Sequence, residues 1–447
     1  MTDIPAHHQR HTSQASASDS RLLRAVGMWA LAASIVNVTI GGGIFRLPAG
    51  VYATLGQASP IAYVVCAVLM GLIVMCFAEA GSRVSLTGGL YAYVETAFGP
   101  LIGFVSGVLL WAGMTSALSA VAVFFGDAVG ALVPALASAG MRNAVIVIVL
   151  ALFAGLNVLG VANATRFNVL MTIAKLAPLG LVIVVGLAAL NGDRLEIAAA
   201  PKVGDLARGS IFLIFAFLGI ESALVPSGEV KDPARTMPRA IAIAMIGIVI
   251  VYMCVQLVSQ SALGDALGTS KTPVADAAGA LLGSWGRTTI LVGSTISMFG
   301  YVSGMTLAVP RMLYAFGRDG FLPKPFAAVH ERFRTPHVAI VVQALISMAL
   351  AVTGTFERLA IIANGSILIV YGACALAVFQ LRRRDVRGDQ PPFVAPLGGI
   401  VPALALLAIL WLMTSLTAPE WVAMGVAVLA ALAIYAVTRR RRAQLAE

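Results

Sequence analysis

Charge is scarce in this chain. Acidic and basic residues together make up 11% of it, where an ordinary soluble domain carries about 25%. With 59% hydrophobic residues over 447 positions, a water-soluble fold could not hide its apolar surplus, and a bilayer is the natural solvent. The charge is also unbalanced, at net +10. The basic residues form no patch interleaved with aromatics, which argues against a nucleic-acid partner. They fall in short clusters between apolar runs, the pattern that membrane topology produces. Cysteine is sparse too. Cys66, Cys76, Cys254 and Cys374 each lie inside an apolar run and none forms a CxxC pair, so no disulfide framework or zinc site is indicated. His7, His8 and His11 sit in the polar leader, and His330 and His337 in a loop, so no histidine stands inside an apolar segment. No GxxxxGK[ST] motif is present. No catalytic group, cofactor or metal ion is therefore expected. The expected partners are the lipid bilayer and a small molecule, with a second copy of the chain as a candidate homodimer partner.

What the sequence has in abundance is long apolar runs. A helix needs about 20 apolar residues to span the hydrocarbon core. On that measure the spans fall at 25–50, 58–82, 100–130, 143–162, 167–190, 208–228, 239–263, 287–316, 337–354, 358–381, 397–416 and 419–438. Residues 1–20 are polar and read as a disordered tail, not as a signal peptide, because the apolar segment that follows is too long. With twelve spans and an internal N-terminus, the loops holding Arg382–Arg384 and Arg439–Arg442 lie inside. The inner segments then carry about three times as many Lys and Arg as the outer ones, which puts both termini in the cytoplasm.

The informative residues are those that break apolar helices. The first span carries three consecutive glycines, Gly41, Gly42 and Gly43. Each costs roughly 1 kcal/mol of helix propensity relative to alanine, so the helix is expected to unwind there. Unwinding frees amides and carbonyls that hydrocarbon cannot satisfy, so the break should line a cavity or hold a ligand. Close helix packing is the competing explanation of a glycine triple. The sixth span, around Phe215-Ala-Phe-Leu-Gly-Ile-Glu221, is disturbed as well, by Gly219, Glu221, Ser222, Pro226 and Gly228. Glu221 is an ionisable group near mid-membrane, costly unless protonated or paired. Spans one and six open two five-helix halves, and matching interruptions at corresponding places point to a transporter site at a repeat interface. The amide-rich start of the half-helix after the glycines suits a carboxylate, and freed carbonyls suit an ammonium. A site with both fits an α-amino acid.

At this point the chain resembles the amino acid–polyamine–organocation (APC) superfamily. The pieces that carry the resemblance are Ile40-Gly-Gly-Gly-Ile-Phe45; Phe217-Leu-Gly-Ile-Glu221 with Gly228-Glu-Val-Lys-Asp-Pro233; Ala78-Glu-Ala-Gly-Ser82 through Phe98-Gly-Pro100; and Arg311 to Pro323. It implies an all-α polytopic membrane protein of 12 transmembrane helices: a five-plus-five inverted repeat, the leucine-transporter fold, plus two C-terminal helices. The halves would be 21–190 and 208–385, the extra helices 397–438, and 439–447 a basic cytoplasmic tail. It also implies substrate contacts from the backbone of Thr39, Ile40, Gly41, Gly42 and Gly43, and of Phe215, Ala216, Phe217 and Gly219. Phe215 resembles the family's aromatic gate, against the plainer alternative of a core aromatic. Lys175, alone in the apolar fifth span, resembles a stand-in for the sodium ion of related transporters. The alternative is that it snorkels to the cytoplasmic face. Coupling or gating roles are thus expected for Lys175, Glu221, Phe215 and Met305. Glu79, Arg83, Glu95 and Asp127 are expected in solvated or ion-paired positions at span ends, and Arg46 faces either the outer vestibule or a helix interface.

The chain departs from the family's arginine exchangers by carrying Val38 and Met305 where those tend to have Asn and an aromatic, which favours neutral amino acids. Glu221 keeps a cationic amino acid, polyamine or other organocation open. A membrane-embedded enzyme would want more than Glu221 and Lys175 at one depth. A transporter-like sensor would want a long soluble signalling domain. The expectation is a secondary amino acid transporter of the inner membrane that works by alternating access, through proton symport or exchange.

Overall fold

The computed structural model describes residues 27–84, 90–159, 165–197, 199–220, 233–387 and 391–438. The tails at 1–20 and 439–447 and all of Glu221 lie outside that description, as do the side chains of Val38 and Lys175. Among the described residues there are fifteen α-helices and no strand. They are α1 (Met28–Thr39), α2 (Leu47–Leu55), α3 (Ser59–Arg83), α4 (Leu90–Phe98), α5 (Pro100–Leu132), α6 (Ala139–Leu159), α7 (Thr165–Ala188) and α8 (Val203–Ile214). Then follow α9 (Pro233–Leu263), α10 (Pro273–Ala308), α11 (Pro310–Arg318), α12 (His337–Thr353), α13 (Phe356–Arg383), α14 (Ile400–Met413) and α15 (Ala418–Val437). Helix is the form hydrocarbon permits, because each segment satisfies its own backbone.

Among the described residues, seven segments are long and apolar enough to cross a membrane on their own, and three shorter apolar helices accompany them. Neither the first nor the sixth expected span forms such a segment by itself among the described residues. The first is divided between α1 and α2, and the sixth leaves its helix at Ile214. The protein is a multi-pass membrane protein.

The core is built on α5 and α13, which pack along each other. Both bury 78% of their most apolar window inside the protein, against 28% for α6 and 17% for α15, which face outward. At one end of the bundle Glu79, fully buried near the end of α3, ties its own helix to two distant segments. It accepts hydrogen bonds from Arg83 Nε (3.1 Å), from Arg382 Nε (2.7 Å) and Nη2 (2.6 Å), and from the Ala395 amide (2.8 Å). Glu79 and Arg83 are ion-paired as expected, but inside the protein and not at a solvated edge.

Helices α2 and α8, one from each interrupted span, interlock. A methyl group at Gly50 of α2 would collide with the Phe212 ring of α8, and one at Gly209 of α8 would meet Leu55 Cδ1 of α2 at 2.6 Å. Each helix spends a glycine on the other's large side chain, which brings the two backbones close.

Candidate functional site where two broken helices meet

Helix α1 stops at Thr39. Ile40 turns out of the helix (φ −73°, ψ 77°) and Gly41 is extended (φ −100°, ψ −158°). A short 3₁₀ turn, Gly42–Phe45, and Arg46 then lead into α2. No glycine of the triple needs a positive φ. What Gly42 and Gly43 supply is space. A Cβ on Gly42 would meet Met298 Cγ of α10 at 2.8 Å and Val121 Cγ1 of α5 at 3.4 Å. One on Gly43 would meet Phe215 Cδ1 at 3.0 Å. Close packing and unwinding, competing explanations in sequence, operate together here.

The second break has the same form. Helix α8 ends at Ile214, a 3₁₀ turn covers Phe215–Phe217, Leu218 is extended, and Gly219 takes φ 105°, which only glycine adopts without strain. The last carbonyls of a helix have no partner within it. Two of them, on Ile211 and Phe212, accept from Asn364 Nδ2 of α13 at 2.7 Å and 3.4 Å.

The breaks face each other and share one buried donor. Tyr252 of α9 is fully buried, and its hydroxyl lies 2.9 Å from the Thr39 carbonyl and 2.6 Å from the Ala216 carbonyl. A phenol has one hydrogen to give, so the two carbonyls compete for it. The Thr39 hydroxyl beside them is buried without a partner among the described residues. Phe217 stacks edge-on against the Tyr252 ring at 5.5 Å.

An aromatic layer covers the breaks on the side of α2. Phe356, at the start of α13, takes edge contacts from Phe215 (5.4 Å), Phe124 (5.9 Å) and Phe212 (6.0 Å). Arg46 lies over the same ring at 6.0 Å and pairs with Glu357 at 2.7 Å. It also donates to the Lys271 carbonyl at 2.5 Å. Arg46 therefore bridges the start of α2 to α13, beside a half-exposed Glu357. Gly42, Gly43 and Phe215 are all buried, so the breaks are covered in this conformation.

The profile of the amino acid permease family matches residues 26–437. The chain belongs to that family, within the APC superfamily. The permease is 27% identical to the serine/threonine exchanger SteT of Bacillus subtilis, over 95% of this chain and 99% of the relative. It is 26% identical to a methylthioribose transporter of the same organism, with 97% of each covered. It is also 27% identical to the mouse Asc-type amino acid transporter 1, over 83% of this chain and 72% of the relative. The family is one of transporters and not of enzymes.

Of the residues singled out in sequence, the structure brings Thr39, Ile40, Gly41, Gly42 and Gly43 to one place with Phe215, Ala216 and Phe217, and Gly219 follows directly. Met305 lies two turns beyond Met298 on α10, half-buried near the end of that helix, while Met298 is the residue against Gly42. Sequence reasoning missed Tyr252, Met298, Asn364 and the Phe356–Glu357 pair. Tyr252 had a readable signal: it heads a polar series, Gln256 and Gln260, at helical spacing in an apolar run. Met298 had none.

Proposed function

We propose that the permease is a secondary active transporter of amino acids across the inner membrane, working by alternating access around the paired breaks. The observation that carries this reading is the meeting of two interrupted helices at buried carbonyls and small-turn amides, in a chain of the amino acid permease family. The amides that open the turn at Gly42 and Gly43 suit the α-carboxylate, since the first amides of a helical turn have no partner inside it. The carbonyls of Thr39 and Ala216 suit the α-ammonium. Phe215 closes over the substrate, and the Phe356–Arg46–Glu357 layer seals the outer side.

The scaffold in this reading has twelve spans with both termini in the cytoplasm, its first ten arranged as two inverted five-helix halves. The seven long spans, the three shorter apolar helices and the two interrupted ones support that count. Val121, Met298 and Met305 make the surroundings apolar and favour neutral amino acids. The similarity to SteT and the Asc-type transporter supports the same class. A second reading is a different polar metabolite, favoured by the methylthioribose transporter's comparable identity and coverage. Glu221 keeps cationic amino acids and polyamines in the substrate panel.

Uptake of a radiolabelled amino acid panel into proteoliposomes, at several pH values, tests the reading. Accumulation or exchange of a small neutral amino acid is expected. Uptake of methylthioribose with no amino acid competing would overturn it.

In this mechanism the Lys175 ammonium on α7 occupies the place of a bound sodium ion, since two cations within a few ångströms repel strongly at low dielectric. Transport is then driven by protons or exchange, with Glu221 and Lys175 as the ionisable groups that take part. Replacing sodium by choline at fixed pH leaves uptake intact. Lys175→Ala slows uptake far more than it weakens equilibrium substrate affinity, because the residue acts between helices. Lys175→Arg does not restore the rate, since a planar guanidinium cannot copy a compact ammonium. Wild-type kinetics in Lys175→Ala would remove lysine from the mechanism.

A further inference from the structure

One of the protein's open cavities lies in a groove between α3 and α9, is lined by none of the residues of the two breaks, and has a volume of about 530 Å³. Its walls are apolar: Gly71, Met75 and Ala78 of α3 face Ala242 and Met245 of α9, and Phe393 closes one end. The groove exists because α3 presents small residues at Ala67, Gly71 and Ala78, so that α9 meets a hollow and not a ridge. A Cβ built on Gly71 meets nothing within 4 Å, an independent sign that the space is open. Along its rim Ile246 and Ile250 are 62% and 57% exposed, and Val68 is 59% exposed, so the groove opens toward the hydrocarbon that surrounds the bundle. Water has too few polar partners here to fill it.

The closed end is distinctive. Phe393 and Pro396 belong to the segment before α14, and this segment is pinned by the Ala395 amide on Glu79 and by the Ser82 hydroxyl donating to the Phe393 carbonyl at 3.4 Å. The same end is basic. Arg239, next to the lining residue Pro238, is exposed, as is Arg383, which follows the Arg382 that pairs with Glu79 beside this segment. The described acids at this end are already engaged: Glu79 with Arg83 and Arg382, and Asp385 with Arg387.

We propose that this groove is a binding site for an anionic phospholipid of the leaflet on the arginine side, with one acyl chain between α3 and α9 and the headgroup phosphate at the arginines. The volume matches one chain: about 530 Å³ holds roughly eighteen groups of the ~30 Å³ that a water occupies in the liquid, and a methylene is about that size. A basic end above an apolar slot is complementary to a phospholipid in both charge and polarity, and arginine near the membrane surface attracts anionic lipid. The site also reaches the transport machinery. Met245 lines the groove two turns before Tyr252 on the same helix, so a bound chain bears on the element that holds the two breaks together.

The test is thermal unfolding of delipidated full-length protein in detergent, with phosphatidylglycerol or phosphatidylcholine added at matched concentration. It uses no substrate, so it stands apart from the transport reading. Phosphatidylglycerol is expected to raise the Tm by several degrees, and phosphatidylcholine by less than half of that. Gly71→Leu, whose Cβ meets nothing within 4 Å, projects into the slot and should abolish most of the shift. Ala242→Trp, which fills it from α9, is the second variant should the first fail to fold. Arg239→Gln should lower the phosphatidylglycerol shift toward the phosphatidylcholine one while leaving the latter unchanged. Equal shifts for the two lipids, or a full phosphatidylglycerol shift in the filled variants, would overturn the proposal.

Discussion

A methyl group added at Gly42 would lie 2.8 Å from Met298 Cγ, closer than real Cβ atoms come, while the backbone of Gly42 itself asks for nothing unusual. The glycine is there for room. Its neighbour is a flexible side chain, so the strain can be relieved at a second site. Gly42→Ala is expected to cost about 1–3 kcal/mol of stability, as overpacking does, and to reduce uptake at least tenfold. Adding Met298→Ala should recover most of the stability, because it removes the atom in conflict. Unfolding in detergent read beside proteoliposome uptake checks both parts, and a Gly42→Ala protein with wild-type values would show that the turn moves freely. The triple was legible in the sequence as a place where a helix breaks. Its partner Met298 was not, since a methionine in an apolar run looks like any other and only the fold brings it there. Tyr252 stands between these cases. Its polarity in an apolar helix is a signal that sequence reasoning passed over, and its two acceptors are backbone atoms, which no side-chain pattern reveals.

Between the elements, the two interrupted spans are held by different means on their two sides. Helices α2 and α8 interlock through Gly50 and Gly209, while α2 is tied to α13 by Arg46 and Glu357. The glycine contacts are rigid, and the ion pair is adjustable. Arg46 is 13% exposed and Glu357 44%, so solvent weakens their attraction on one side. A double-mutant cycle with Arg46→Ala and Glu357→Ala should give a coupling of about 1 kcal/mol in thermal stability, shrinking in about 1 M salt. Each single variant should change the apparent affinity for substrate added outside more than the maximal rate, since the pair stands over the breaks. An undiminished coupling at high salt would mean that the pair is sealed from water and is no gate. Apolar length placed long helices along the chain, though their ends shift by several residues, as at Pro273–Ala308 against an expected 287–316, and the glycine triple and the Phe215–Gly219 stretch marked where two spans fail. Which helices meet was not readable, because an apolar face in lipid carries no direction and packing is decided by where small residues let backbones approach.

Across the whole molecule, one carboxylate links residues more than three hundred positions apart. Glu79 holds Arg382 and the Ala395 amide, and Arg83 from its own helix completes the set. Removing its charge leaves two arginines, 7% and 21% exposed, facing each other without a counterion. Glu79→Gln is therefore expected to destabilise the protein by about 3–5 kcal/mol, as breaking a buried pair does. A midpoint unchanged in thermal or denaturant unfolding would show that water reaches the cluster. The sequence marked Glu79 and Arg83 as solvated or ion-paired at a span end, and the structure pairs them. That the pair is buried depends on α13 and the segment before α14, which no local reading could bring to it. The arrangement has a consequence in time. When α3 leaves the ribosome, Arg83 is the one partner Glu79 can have. At roughly 5–20 residues per second of synthesis, Arg382 emerges about 15–60 s later. For that interval a carboxylate with Arg83 but without its hydrogen bonds from Arg382 and Ala395 waits at the end of an apolar helix, so the earlier helices can gather but not lock. The order of arrival makes the C-terminal third of the chain the part that closes the assembly.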